Sequence, residues 1–202
     1  MARSTQLFVM RHLPTAGNRN KQYIGWTDEP IVSSDVIPLS NASFQIHTSD
    51  LKRTLETAKR YFPNAELVEH DALRELHFGD WEQKTYAELC EDTTYQAWLD
   101  NPFEVTATGG ESFETFNKRV TEIIEDLLNA ASGPLILVVH GGVIRLLKSL
   151  WTESNFLEAH ATHDTVAHFT LEKQEEWLCT SYSEVPITES ARWFATTSHE
   201  TD

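Results

Sequence analysis

The chain has 202 residues, of which 40% are hydrophobic, and a formal net charge of −15. This size and apolar content suffice for one domain with a packed core, whereas the acidic charge argues against nucleic acid or an anionic membrane as a partner. Cys90 and Cys179 lack CxxC spacing, so we expect neither a disulfide framework nor a zinc knuckle. The longest apolar run is too short to span a bilayer and no leader is visible, which favours a cytoplasmic protein.

Strand and helix patterns alternate through the first half of the chain. Residues 6–10 predict a strand, and a polar loop over 14–38 follows it. Residues 44–48 predict a second strand, after which Ser49 and Asp50 start a helix over 52–61. A short strand over 65–68 and a broken helix over 85–100, ended by Pro102, come next.

The second half continues the alternation. A single apolar stripe predicts a helix over 112–130, followed by a buried strand over 135–139 and a helix over 143–151. Residues 166–171 and 177–180 predict a hairpin around the polar stretch 173–176. We therefore predict an α/β fold of three α/β/α layers around a mainly parallel sheet. We expect one domain over 1–182 and a loosely held polar tail over 183–202.

Two histidines follow predicted strands directly. His12 comes after the first strand and His140 after the strand over 135–139. Because the carboxyl ends of parallel strands form ligand sites in α/β folds, we expect the two side chains to share a pocket. Arg11 adjoins His12, Arg53 falls in the first turn of a helix, and Gly141 allows close approach of a ligand to the backbone. Arginine, histidine and glycine in this arrangement predict a phosphate site.

The same residues suggest a reaction. A neutral imidazole is a competent nucleophile near pH 7, so His12 could attack phosphorus if another group protonates the leaving oxygen. Glu75, a carboxyl group among apolar neighbours, is the candidate acid. Chemistry alone does not separate it from three other acidic residues near the predicted pocket, which are Asp80, Glu82 and Glu111.

Six motifs occur in the order found in the histidine phosphatase superfamily, which has the phosphoglycerate mutase-like fold. They are Arg11-His12-x-x-Thr15-x-x-Asn18, Tyr23-x-Gly25-x-x-Asp28-x-Pro30, Ser49-x-Leu51-x-Arg53-x-x-x-Thr57-Ala58, Leu73-x-Glu75-x-x-x-Gly79-x-Trp81-Glu82, Gly110-Glu111-Ser112 and His140-Gly141-Gly142-Val143-Ile144-Arg145. The chain most resembles the short bacterial branch of this superfamily, to which the α-ribazole phosphatases belong.

The resemblance implies roles for individual residues. His12 would be the phosphorylated nucleophile, and Glu75 would act first as general acid and then as general base. Arg11, Arg53 and His140 would hold the phosphate, and they would be catalytic as well as substrate-binding residues. The remaining predicted substrate-binding residues are Asn18, Tyr23, Gly25 and Gly141. The resemblance implies no metal and no organic cofactor.

The chain departs from the superfamily pattern at three places. Leu13 replaces the glycine that usually follows the Arg-His pair, and we expect its bulk to narrow the pocket. Gln83 replaces a second glycine, after Trp81-Glu82. Residues 31–42 are too few for the long helix that the family usually carries there, so this edge of the domain is predicted to lack that helix.

The functional hypothesis is a phosphomonoesterase that hydrolyses a small-molecule phosphate ester through a phosphohistidine, with α-ribazole 5'-phosphate as a candidate substrate. One alternative is phosphoryl transfer of the phosphoglycerate mutase type, although the path from Glu75 to His140 is short for the segments that would retain the intermediate. Another is a metal-dependent hydrolase that uses His160, His163 and Asp164, which His168 follows further along the chain. A non-catalytic phosphate-binding module is a third. The oligomeric state stays open.

Overall fold

A computed structural model describes residues 3–32 and 35–196. The strands are β1 (Arg3–Arg11), β2 (Gln45–Thr48), β3 (Glu66–Glu69), β4 (Leu135–Val139), β5 (Thr165–Lys173) and β6 (Trp177–Pro186). The helices are α1 (Ala16–Arg19), α2 (Lys52–Tyr61), α3 (Tyr86–Leu89), α4 (Thr93–Asp100), α5 (Phe113–Ala130), α6 (Gly141–Trp151) and α7 (Ile187–Thr196). Two short 3-10 turns, Asp71–Leu73 and Gly79–Trp81, lie between β3 and α3.

The described strands form one six-stranded sheet in the order β3-β2-β4-β1-β5-β6. The pairs β3-β2, β2-β4 and β4-β1 are parallel, whereas β5 and β6 form an antiparallel hairpin beside β1. The predicted α/β class is confirmed, and the sheet is parallel over its first four strands. In the parallel pair β1-β4, Arg11 is in register with Val139, so the residues that follow the two strands emerge side by side.

The sheet is covered on both faces, as the three-layer prediction requires. Successive residues of β1 point to opposite faces. Leu7 and Val9 pack in a core cluster that includes α5 and α6, while Phe8 and Met10 pack in a second cluster on the opposite face that includes residues of α2 and α7. The two clusters fix the sheet between its helices and thereby fix the relative positions of the loops at its carboxyl edge.

The predicted boundary at residue 183 is wrong for the residues that the structure describes. Strand β6 continues to Pro186, and α7 follows directly. Phe194 of α7 is fully buried, with its ring 5.4 Å from Phe8 and 5.1 Å from Phe62. Burying one such side chain stabilises a fold by about 1.5–3 kcal/mol, so α7 is part of the domain. The rest of the predicted tail, 197–202, lies outside the described residues.

The segment over 31–42, which was predicted to be too short for the family's long helix, contains no helix in its described parts, residues 31–32 and 35–42. Within the described residues of the predicted polar loop, 14–32 and 35–38, the structure adds only one helix, the short α1, which Thr15 caps. Among residues 3–32 and 35–196, no helix has the length and apolar character needed to cross a membrane.

Candidate active site

The two predicted histidines meet at the carboxyl edge of the sheet. His12 follows β1, and its backbone N–H donates to the carbonyl of Val139 at 2.9 Å, immediately before His140. The two imidazole rings lie 5.3 Å apart in an edge-to-face arrangement. Their side chains are almost wholly buried, with 3% of His12 and none of His140 exposed. The sheet therefore places both imidazoles in one desolvated environment.

The hydrogen bonds of His12 leave one nitrogen available. Its Nδ1 lies 2.7 Å from the carbonyl oxygen of Leu13, which can only accept, so Nδ1 carries the proton and Nε2 keeps its lone pair. Burial, and then the charges of Arg53 and Arg11, hold the pKa of His12 well below 6.5. The imidazole is therefore neutral at pH 7, the form that a nucleophile requires.

Arg53 is fully buried and holds His140 in place. Its Nε donates to Nδ1 of His140 at 3.3 Å, while Nη1 and Nη2 donate to the carbonyls of Thr27 at 2.8 Å and Gly25 at 2.6 Å. Since Nδ1 of His140 accepts, Nε2 carries the proton and donates to Oγ of Ser49 at 2.8 Å. Burial and the Arg53 charge keep the pKa of His140 well below 6.5, so His140 is also neutral.

Arg11 lies over the first turn of α6. A Cβ at Gly141 would stand 3.2 Å from Cζ of Arg11, so glycine lets the guanidinium approach the helix closely. Nη1 donates to the carbonyl of Ala161 at 2.8 Å, whereas the buried Nε has no hydrogen-bond partner within residues 3–32 and 35–196. A buried donor without a partner is costly, and an oxyanion in the cavity would satisfy it.

Glu75 points its carboxyl group at the same helix. Its Oε2 accepts from the backbone N–H of Gly142 at 2.9 Å, and Oε1 accepts from that of Leu76 at 3.0 Å. A Cβ at Gly142 would stand 2.1 Å from Oε1, so only glycine permits this approach. The backbone carbonyl of Glu75 is itself held at 2.9 Å by Trp26 Nε1 and by Arg119 Nη2. The carboxyl group is thus positioned from both sides.

The other carboxylates that competed for the role of acid are engaged elsewhere or lie off the cavity. Both oxygens of Glu111 bind Arg119 at 2.7 Å, and Arg119 supports the Glu75 segment. Glu82 accepts hydrogen bonds from several backbone N–H groups of two loops. Asp80 is exposed. Of the four carboxyl groups, Glu75 is the one that lines the cavity.

The cavity beside these residues has a volume of about 320 Å³ and is lined by both polar and apolar groups. Its polar lining consists of Arg11, Asn18, Gln22, Glu75 and Arg145, together with the backbone of Gly141 and Gly142. Its apolar lining consists mainly of Tyr23, Phe78, Trp98, Leu99, Pro102, Phe113, Phe156 and Leu157. This lining suits a ligand that combines an anionic group with a flat apolar group.

Arg145 is a lining residue that sequence reasoning did not select, although it closes the sixth motif. Its buried Nε has no hydrogen-bond partner among the described residues. It lies four positions after Gly141 on α6, so that both face the cavity from adjacent turns. That helical spacing was the available signal.

The remaining predicted binding residues are placed differently from one another. Asn18 lines the cavity, and because its Oδ1 accepts from Thr15, its amide NH₂ is the group suited to a ligand. Tyr23 also lines the cavity, with its hydroxyl bonded to that of Tyr95 at 2.7 Å. Gly25 is not part of the cavity lining and instead holds Arg53 through its carbonyl.

Two departures from the family pattern have structural outcomes. The expectation that Leu13 narrows the pocket is wrong, because its side chain is buried in the core cluster that contains Phe8 and Met10. Gln83 adopts a left-handed backbone conformation with φ of 63°, which glycine adopts more readily.

The rival metal-site residues are used in other ways. Nδ1 of His163 lies 2.5 Å from the carbonyl oxygen of His12, and the two rings are 5.4 Å apart. Burial lowers the pKa of His163 to about 4. The half-buried ring of His168 stacks on the buried ring of Phe8. Among the described residues, no group of three or more His, Cys, Asp or Glu side chains could hold a metal ion.

Comparison with known proteins gives a consistent family. The model of the histidine phosphatase superfamily (branch 1) matches residues 38–182. The adenosylcobalamin/alpha-ribazole phosphatase of Salmonella typhimurium is 30% identical over 156 residues, which cover 70% of this chain and 77% of that protein. The metal-independent phosphoserine phosphatase of Arabidopsis thaliana is 27% identical over 90% of this chain and 82% of its own length. The alpha-ribazole phosphatase structure from Shigella flexneri superposes with a TM-score of 0.69 at 21% identity, covering 86% of this chain and 93% of that one.

Proposed function

The chain belongs to the histidine phosphatase superfamily and is a phosphatase, and from this premise we propose that His12 is its phosphorylated nucleophile and Glu75 its acid and base. One observation carries the proposal. The Nδ1 proton of His12 is committed to the Leu13 carbonyl, which leaves Nε2 as a neutral nucleophilic nitrogen next to Arg11. The proposed substrate is a small-molecule phosphomonoester.

The reaction has two steps. In the first, Nε2 of His12 attacks phosphorus in line, the N–P bond forms, the ester P–O bond breaks, and Glu75 gives its proton to the departing alcohol. In the second, Glu75 takes a proton from water, the water oxygen attacks phosphorus, and the N–P bond breaks. Inorganic phosphate leaves, and both His12 and Glu75 return to their starting protonation. Neither step uses a cofactor.

The cations of the site stabilise the charge that these steps spread over the phosphoryl oxygens. The Nε of Arg11, buried without a partner among the described residues, is suited to donate to such an oxygen. Asn18 and the N–H of Gly141 would hold the phosphoryl group from the cavity side. Arg53 and His140 do not line the cavity, and to hold the group from the sheet side His140 would exchange its Nε2 hydrogen bond to Ser49 for one to a phosphoryl oxygen. Arg53 also disfavours protonation of both imidazoles, which keeps the nucleophile in its reactive form.

The cavity supports a flat apolar alcohol as the leaving group. Aromatic side chains, among them Trp98, Phe113 and Phe156, line the cavity together with the cations. A heteroaromatic riboside can stack on such a wall, so α-ribazole 5'-phosphate is the first candidate, in keeping with the bacterial relatives named adenosylcobalamin/alpha-ribazole phosphatase. The phosphoserine for which the plant relative is named has no group for this wall.

The test of the nucleophile is rapid acid or base quenching during turnover. The wild type should carry an acid-labile, base-stable phosphoryl group, and His12→Ala should carry none. Inorganic phosphate should appear in step with alcohol, since a lag or an acceptor-dependent product would indicate phosphoryl transfer. Normal turnover by His12→Ala would refute the mechanism.

The test of the acid is a comparison of leaving groups. Glu75→Gln should slow an alkyl ester such as α-ribazole 5'-phosphate much more than 4-nitrophenyl phosphate, whose leaving group needs no proton. Equal losses for the two esters would contradict the assignment. A panel that includes phosphoserine ranks the substrates by kcat/KM.

We propose a cytoplasmic location for the enzyme. We also expect no nucleic-acid partner, because the net charge of −15 opposes association with a polyanion.

A further inference from the structure

Glu82 is a carboxylate that the two-step reaction does not use, yet both of its oxygens are filled with hydrogen bonds. Oε2 accepts from the backbone N–H groups of Gly25 at 3.0 Å and Thr27 at 3.1 Å, and from the Thr27 hydroxyl at 2.6 Å. Oε1 accepts from the N–H groups of Trp26 at 2.9 Å and Phe78 at 3.0 Å. A carboxylate that receives so many donors is a fixed anchor rather than a proton carrier.

The loop that Glu82 anchors also holds the buried arginine. Three successive N–H groups, those of residues 25, 26 and 27, converge on one carboxylate, which fixes the peptide planes of this segment. The carbonyls of Gly25 and Thr27 accept from Nη2 and Nη1 of Arg53. The Nε of Arg53 in turn donates to His140. A continuous series of hydrogen bonds thus leads from Glu82 to the second imidazole.

The approach of the loop to Glu82 is as close as the backbone allows. A Cβ at Gly25 would stand 2.4 Å from Oε1 of Glu82 and 2.1 Å from the carbonyl oxygen of Leu76. Glycine at this position, selected in the sequence as a binding residue, is therefore required by the contacts with the Leu76 backbone and Glu82, and not by the cavity. Although burial opposes ionisation, the hydrogen bonds from Thr27, Trp26 and Phe78 lower the pKa of Glu82, so the anchor stays charged at neutral pH.

We propose that Glu82 is a positioning residue, which orients the Gly25 and Thr27 carbonyls so that they hold the Arg53 guanidinium against His140. The inference rests on the proposed function, in which Arg53 and His140 face the phosphoryl group. Glu82 acts through the backbone of residues 25–27, and its negative charge also favours the charged form of the buried Arg53. Loss of the Glu82 carboxylate displaces Arg53, the cation proposed to hold the phosphate, and leaves the proton transfer by Glu75 unchanged.

The first experiment uses Glu82→Gln, which keeps the shape and replaces one accepting oxygen with an NH₂ that opposes backbone donors. We expect kcat/KM to fall about 10- to 100-fold, as for other displacements near 1 Å, and the inhibition constant for inorganic phosphate to rise by a similar factor. The loss should be equal for α-ribazole 5'-phosphate and 4-nitrophenyl phosphate, unlike that of Glu75→Gln. An unchanged phosphate inhibition constant would overturn the proposal.

The matched control is Glu88→Gln. Glu88 also accepts from a threonine N–H and hydroxyl, those of Thr85 at the start of α3, and has no hydrogen bond to the loop that holds Arg53. The Glu88→Gln variant should have the same kcat/KM and the same phosphate inhibition constant as the wild type. If Glu82→Gln folds poorly, Thr27→Val removes only the hydroxyl donor and should raise the phosphate inhibition constant a few-fold in the same direction. No rise in that variant counts against the proposal.

A double-mutant cycle with Arg53→Lys separates positioning from general destabilisation. If Glu82 acts through Arg53, the double variant should lose little more than Arg53→Lys alone. Losses that multiply would show that the two residues act independently, and would overturn the proposal. The cycle can be followed by phosphate binding, without turnover. Failure of the phosphohistidine mechanism, shown by an active His12→Ala, is therefore distinguishable from failure of this inference.

Discussion

The substitution Gly142→Ala tests whether the site depends on the contact between Glu75 and the start of α6. The added Cβ would lie 2.1 Å from Oε1 and 3.1 Å from Cδ of Glu75, and 3.3 Å from Cζ of Phe116. An ordinary contact is about 3.4–4 Å, so the carboxyl group must move by more than 1 Å. The movement also breaks or lengthens the bond from the Gly142 N–H to Oε2.

The size of the effect follows from this displacement. A misplacement of about 1 Å lowers rates by about 100-fold, which corresponds to about 2.7 kcal/mol of transition-state stabilisation. Stability should change much less, because alanine favours a helix over glycine by about 1 kcal/mol and offsets part of the steric cost. Gly142→Ala should therefore lose activity while it remains folded.

The assay is kcat/KM with an alkyl phosphate and with 4-nitrophenyl phosphate, together with the thermal midpoint. The loss should be near 100-fold for the alkyl ester and smaller for the activated ester, since only the former needs the Glu75 proton. Gly133→Ala is the control, because apart from its chain neighbours no atom of residues 3–32 and 35–196 lies within 4 Å of the added Cβ. Wild-type kcat/KM for the alkyl ester in Gly142→Ala would refute the reasoning.

Three further predictions concern stability and charge. Gln83→Gly should raise the free energy of unfolding by about 0.5–1 kcal/mol. Glycine removes the strain of the left-handed conformation that Gln83 adopts at φ of 63°, and this gain exceeds the cost of the greater backbone freedom of glycine in the unfolded chain. A lower urea midpoint would contradict this. Acidification from pH 7 to 5 should lower the free energy of unfolding, because burial holds the pKa values of His12 and His140 well below 6.5 and the unfolded chain binds protons first. Each of these two could contribute up to about 1.4 kcal/mol per pH unit, and a free energy from urea titrations that is constant over this range would show otherwise. The net charge of −15 repels a phosphate dianion at long range, whereas Arg11 attracts it only at short range, where salt screens poorly. The value of kcat/KM should therefore rise modestly or stay flat from low to moderate NaCl concentration. A steep fall would contradict this.

The class of fold and the main chemical groups follow from the amino-acid sequence. Local hydrophobic periodicity predicts strands and helices, and their alternation restricts the sheet to a few topologies, which places His12 and His140 at strand ends. The helix over 52–61 and the strand over 135–139 have the predicted bounds. The roles of Arg11, Arg53 and Glu75 came from six ordered motifs and remain proposals.

The acidic residue that faces the cavity, and those that support it, are distinguished by tertiary contacts. Glu75, Glu82 and Glu111 lie in similar loop sequences, but their partners are distant in the chain, such as Gly142 for Glu75 and Gly25 for Glu82. The positions of Leu13 and α7 also depend on contacts with distant residues. The Leu13 side chain packs in the core, and Phe194 of α7 is buried although the sequence around it is mostly polar. Periodicity reports which face of an element is apolar, whereas the assignment of a hydrogen-bonding group to a partner depends on how the elements pack.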